Sequence, residues 1–197
     1  QTGLTGTTNG AAMRIAPVGV ATSADDLPAL VSAVQAACLV THATREAIAA
    51  AAAVAAVISQ GIDGADFDSA IQLAREAARI ASTLGAPLGE ADMAGRIEAA
   101  LRAATNADTL AAKIGTSVAS RESVAAAFGV VRLAGGDAWK AAQIAANIGD
   151  DTDTIGAIAG AMAGACSGFM GLPQDKVARV LAVNGLDLLP IAKGLLA

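Results

Sequence analysis

The chain has 197 residues, 54% of them hydrophobic but only 2% aromatic, with no Tyr, which is enough for one domain with a buried core. A formal net charge of −5 and the lack of any Lys/Arg cluster argue against a nucleic-acid partner, since that recognition rests on clustered positive charge. Cys38 and Cys166 fit no zinc spacing and read as free, buried thiols, which suits a reducing, cytoplasmic setting.

Ala-rich sequence with few β-branched runs favours helix, so an all-α fold is expected. Residues 1–12 form a Gly- and Thr-rich loop. Residues 11–16 make a helical turn that Pro17 breaks. Asp25 and Asp26 precede a helix over 27–40. After Thr41–Thr44 a second helix covers 45–60. Gly61 and Gly64 mark a turn before a helix over 66–84, where Phe67, Ile71, Ala74, Ala78 and Ala81 recur at spacings of three and four. A shorter helix covers 91–105, with one more turn or short helix over 106–112. A loop at 114–118 leads into a helix over 120–133, stopped by Gly135 and Gly136. Asp137 caps a helix over 138–147. An acidic loop, a Gly-striped helix from 155 to Pro173, an amphipathic helix over 174–184 and a short apolar tail from Leu188 complete the chain. No linker or long-period repeat divides it, so a single domain over 1–197 is expected.

Two stretches test for a membrane span. Residues 47–58 are too short, and 155–173 only reach the lower limit of about 18 residues. The second begins in an Asp cluster and is mostly Ala and Gly. Neither is read as a span.

Chemistry concentrates in Asp150-Asp151-Thr152-Asp153-Thr154. Three carboxylates within four residues repel one another unless a cation lies between them, and hard oxygen ligands suit Mg²⁺ or Ca²⁺. Ordinary helix capping is the competing account and needs one or two of these residues. The following Gly156, Gly160, Gly164 and Gly168 share one helix face. Each interior Gly costs roughly 1 kcal/mol against Ala, so close packing on a neighbouring helix is expected there. His42, the only histidine, is either structural or a ligand contact. The loop 6–14 and the loop–helix entry at 115–123 offer backbone N–H groups that could cradle oxygen anions, or are plain turns.

In order along the chain, Asn9-Gly10-x-x-Met13-Arg14, Thr41-His42, Gly115-x-Ser117 with Glu122-Ser123, and Gly149-Asp150-Asp151-Thr152-Asp153-Thr154 with Gly160 and Gly164 resemble the ADP-ribosylglycohydrolase family. That family includes the dinitrogen-reductase-activating glycohydrolase and a crystallin relative. The resemblance corresponds to the C-terminal two-thirds of the family pattern. It implies a compact, orthogonal multi-helix fold and a binuclear Mg²⁺ (or Mn²⁺) centre. It implies hydrolysis of the glycosidic bond between ADP-ribose and an acceptor. Asp151, Asp153 and Thr154 would be metal ligands. Thr7, Thr8, Asn9, Gly10, Ala11 and Met13 would line the diphosphate and ribose site. His42 would contact the ligand, Ser117 and Val118 would border the adenosine end, and Arg14 would lock the loop into the core. The family's second acidic cluster, of Thr-Asp-Asp-Thr type, has no counterpart here. The catalytic residues are therefore expected in an N-terminal segment ahead of Gln1, either a cleaved partner fragment or an unseen part of the same domain. With so few aromatics, another N- or O-glycoside is an alternative substrate. An inactive, crystallin-like structural or binding protein is the alternative to an enzyme.

Overall fold

The computed structural model describes residues 3–196; Gln1 and Thr2 of the opening loop, and Ala197, lie outside the described residues. Among the described residues the regular structure is helical, as expected of an all-α chain. A 3-10 turn, Ala12–Arg14, leads into α1 (Ala16–Ala21), α2 (Leu27–Cys38), α3 (Arg45–Ile62) and α4 (Phe67–Ala81). Then come α5 (Met93–Ala103), α6 (Ala107–Ile114), α7 (Ser120–Ala134) and α8 (Ala138–Ala145). Last are α9 (Thr152–Ser167), a second 3-10 turn at Phe169–Gly171, α10 (Gln174–Asn184) and α11 (Leu189–Leu195).

Local chemistry sets most helix starts. Asp26, Thr44, Asp66, Asp92, Asn106 and Asp137 each accept a hydrogen bond from the backbone N–H three residues on, so α2 to α6 and α8 all carry a polar N-cap. Pro17 does not break a helix as expected. It sits in the first turn of α1, where a missing N–H costs nothing. The Gly-striped helix begins earlier, at Thr152, and stops at Ser167, because Gly168 takes a φ of +74° that ends the helix six residues before Pro173's turn could. The apolar tail forms α11.

The central element is α3. Every residue from Glu46 to Ser59 is buried, and α1, α2, α4, α7 and α9 pack around it. Its small Ala side chains let neighbours come close. At 18 residues it is long and apolar enough to cross a membrane by length and composition, so the stretch is not too short after all. Yet 83% of that window is buried by the protein's own helices. The sequence fits a core helix.

The glycine stripe is a correction. A Cβ on Gly160 or Gly164 would meet nothing within 4 Å, and one on Gly156 would touch only the Ala145 methyl at 3.6 Å. The close approach lies on the partner helix instead. A Cβ on Gly61 of α3 would fall 2.8 Å from the backbone at Ala165 and Cys166 of α9. Beyond Gly168, Leu172 still packs on the core and α11 touches α1, but no residue of α10 or α11 is buried. Both thiols are free, Cys38 buried and Cys166 half-buried, and burial pushes each up to about 11.

Candidate functional site

Three chain segments far apart in sequence are laced together by backbone hydrogen bonds. Asn9 N–H donates to Val118 O at 3.0 Å, and Ser120 N–H donates to Thr7 O at 3.1 Å. Thr8 and Ala119 thereby form an antiparallel bridge. On its other side Thr116 O accepts from Asp151 N–H at 3.0 Å. The strip 116–119 thus holds the opening loop and the acidic loop on either flank. Glu122 fixes the strip by accepting from the Ser117 hydroxyl at 2.6 Å and from Ser117 N–H at 3.3 Å. The hydroxyl bond holds the Glu122 carboxyl below its ordinary range.

Asp151 is the centre of the side-chain network. It occupies the N-cap position of α9 but makes no capping bond. Its Oδ2 accepts from Asn9 Nδ2 at 2.5 Å, and its Oδ1 accepts from the Thr154 hydroxyl at 3.1 Å. The same Asn9 amide donates to Ser123 Oγ at 2.8 Å. Asn9 is 5% exposed, and its nitrogen is fixed toward Asp151 because a carboxylate only accepts. Thr154 also reaches Met13 Sδ at 4.0 Å. Just before it, Asp150 has a φ of +55°, and it is the one non-glycine in the left-handed region among the described residues. Such local strain is characteristic of sites where backbone is aimed at something.

The opposite flank is built on His42. Its ring lies against the loop so closely that a Cβ on Gly10 would fall 2.8 Å from Cε1. Nε2 is 2.8 Å from Thr8 Oγ1. Arg14 is exposed, and its guanidinium contacts Thr41 and His42, so it ties the loop to the start of α3 and does not enter the core. Burial first, then the Arg14 charge, lower the His42 pKa below its ordinary value.

The structure therefore gathers Thr7, Thr8, Asn9, Gly10, Met13, His42, Ser117, Val118, Asp151 and Thr154 on one face. Val118 and Met13 are exposed there, whereas Ala11 is buried, so only its backbone can meet a ligand. Asp153 is exposed in the first turn of α9, and no hydrogen bond holds it. A cavity of about 340 Å³ lies away from this face, at the other end of α9, beside Phe67, Arg132 and Cys166.

Asp151, Asp153 and Thr154 offer hard oxygen atoms, the donor chemistry of Mg²⁺ or Mn²⁺, and Asp151 keeps its carboxylate free of capping duty. Asp151 and Thr154 meet at 3.1 Å and fit part of such a centre, while no hydrogen bond joins Asp153 to them. Among the described residues no three His, Cys, Asp or Glu side chains gather as a metal-binding group. A metal held here would need further ligands.

Sequence reasoning missed Glu46. It is wholly buried in α3, and it accepts from Glu90 N–H at 2.6 Å and Arg121 N–H at 3.2 Å. It thereby anchors the start of α7 behind the strip. Its partners lie 44 and 75 residues away, so no local pattern reveals it.

The model of the ADP-ribosylglycohydrolase family matches residues 1–197. The chain belongs to the ADP-ribosylglycohydrolase family. Among curated relatives, it is 36% identical over 189 residues to an uncharacterized protein of Escherichia coli K12, YegU, a match covering 92% of this chain. The chain spans 57% of that relative's length. In this family setting the polar face centred on Asp151 and His42 is the candidate hydrolase site.

Proposed function

We propose that this ADP-ribosylglycohydrolase chain carries the ligand-binding half of a metal-dependent hydrolase that cleaves the glycosidic bond between ADP-ribose and an acceptor. The observation that carries the reading is Asp151. A carboxylate at a helix N-cap that forgoes the backbone capping bond and is held by the Asn9 and Thr154 side chains is set up for a ligand. Asp151, Asp153 and Thr154 would hold Mg²⁺, or Mn²⁺, as oxygen ligands. When bound, two such ions would supply positive charge to ribose hydroxyls and to a water. The chain's own residues do the rest of the binding. Backbone of Thr7 to Met13 would face the diphosphate and ribose, His42 would brace that loop from behind, and Ser117 and Val118 would border the adenosine end. Further metal ligands and an acid–base group would complete the site; the chain spans 57% of the relative's length. The reading includes a cytoplasmic setting, which two free thiols suit.

The test is calorimetric Mg²⁺ binding together with release of free ADP-ribose from ADP-ribosyl-arginine, measured on the protein in its longest native form. Asp151→Asn and Asp153→Asn should each abolish Mg²⁺-dependent turnover with far-UV circular dichroism unchanged. Undiminished turnover in both variants would remove these residues from the metal shell. Hydrolysis of another N- or O-glycoside is a second reading, favoured because Phe67 and Phe128 pair in the core at 5.9 Å and no Phe or Trp joins the site network described above. Mg²⁺ binding with a silent ADP-ribosyl-arginine assay would select it. Absence of both would select a crystallin-like binding protein.

A further inference from the structure

The Arg14 guanidinium orders the bonds around His42. Arg14 donates to Thr41 Oγ1, and its guanidinium also lies 3.2 Å from His42 Nδ1. A guanidinium has donors and no acceptor. That contact favours the tautomer with a lone pair on Nδ1. Thr41 Oγ1, already accepting from Arg14, is 2.8 Å from the same nitrogen, and with Nδ1 unprotonated its hydroxyl and the guanidinium share the one lone pair there. The ring's remaining proton then sits on Nε2, 2.8 Å from Thr8 Oγ1, and Thr8 accepts it. A threonine hydroxyl has a single proton of its own. Among the described residues nothing else takes that proton, and Thr8 is exposed.

We propose that Arg14, Thr41 and His42 are positioning residues that make the Thr8 hydroxyl a hydrogen-bond donor, selecting a ligand that offers an acceptor oxygen at this point. Under the glycohydrolase reading, on which the aim at a ligand rests, that atom is a phosphate or ribose oxygen. The direction of the bonds does not depend on that reading. Thr8 adjoins Asn9, which steers Asp151, so the donor and the acidic loop belong to one wall of the site. The Gly10 backbone leaves room for the ring behind the loop, which keeps Thr8 and His42 in register.

The single histidine makes the test clean, because ring ¹⁵N labelling yields one pair of signals. At neutral pH, Nε2 should carry the proton and Nδ1 should show the shift of an unprotonated nitrogen. A proton on Nδ1, or on both nitrogens, would overturn the proposal. Arg14→Met should let the two tautomers mix; unchanged ring shifts would overturn the part given to Arg14. ADP-ribose is the ligand probe. Its affinity should fall about tenfold or more in Thr8→Val and stay within about twofold in Thr8→Ser, as expected for loss of a hydrogen bond to an oxygen anion. Equal binding by Thr8→Val and wild type would overturn the donor role. A wild type that does not bind ADP-ribose would overturn the glycohydrolase reading and, with it, this choice of acceptor, while the ring tautomer still decides the direction of the bonds.

Discussion

Asp151 and the six capping residues share a position but not a task. Each cap accepts from a backbone N–H of its own helix, whereas Asp151 accepts from two side chains, Asn9 and Thr154, the second on its own helix. Asn9 is therefore the residue whose loss should be felt in both stability and ligation. Asn9→Ala leaves Ser123 and Asp151 without their shared donor, and stability should fall by about 1–3 kcal/mol in urea titration. His42 makes a pH prediction. Its folded pKa is below 6.5, so the unfolded chain binds more protons between the two values. This contribution to stability is complete above 6.5 and is lost as pH falls through the folded pKa. The urea midpoint should drop on going from about pH 7.5 to about pH 5, and His42→Gln should flatten that slope. Loss of the slope is read against the wild type under the same salt.

At the scale of the helix, the two glycine sets behave oppositely. Gly61 stands where the α9 backbone presses on α3, while Gly160 and Gly164 face open space on α9. Gly61→Ala should destabilise by about 1–3 kcal/mol, because a new methyl there meets backbone that cannot rotate away. Gly160→Ala should stabilise this chain by up to about 1 kcal/mol, the difference in helix propensity. Thermal denaturation of both variants checks the pair, and equal effects would show that the stripe is packed. The regular spacing of the α9 glycines is visible in the sequence, but spacing says only that they share a face. What faces them is a property of another part of the chain.

Across the whole molecule, stability is uneven. The centre is α3, wrapped by other helices, while the segment from Phe169 onward holds Met170, Val183, Leu189 and Ile191 in an exposed state. Few contacts tie α10 and α11 to the rest: α11 packs chiefly on α1, and neither helix carries a buried residue. Their amides should exchange with solvent orders of magnitude faster than those of α3, as hydrogen exchange read by mass spectrometry would show. Comparable protection in both would mean that something covers the C-terminal helices in solution.

The sequence alone determined the helical class, nearly every helix and its start, because composition, periodicity and caps act within a few residues. It also supplied the members of the site: Asn9, His42, Ser117 and Asp151 stood out as residue types in a recognisable order. Only the tertiary structure decided what those members do. It left Asp151 without a bond to its helix's backbone, brought Asn9 to it across 142 positions, and spent the Ser117 hydroxyl on Glu122. It also buried Glu46 under partners no local pattern announces. The physical reason is range. Capping and propensity are settled within one helical turn, whereas the direction of a hydrogen bond and the closeness of two helices depend on which distant segment folds against them.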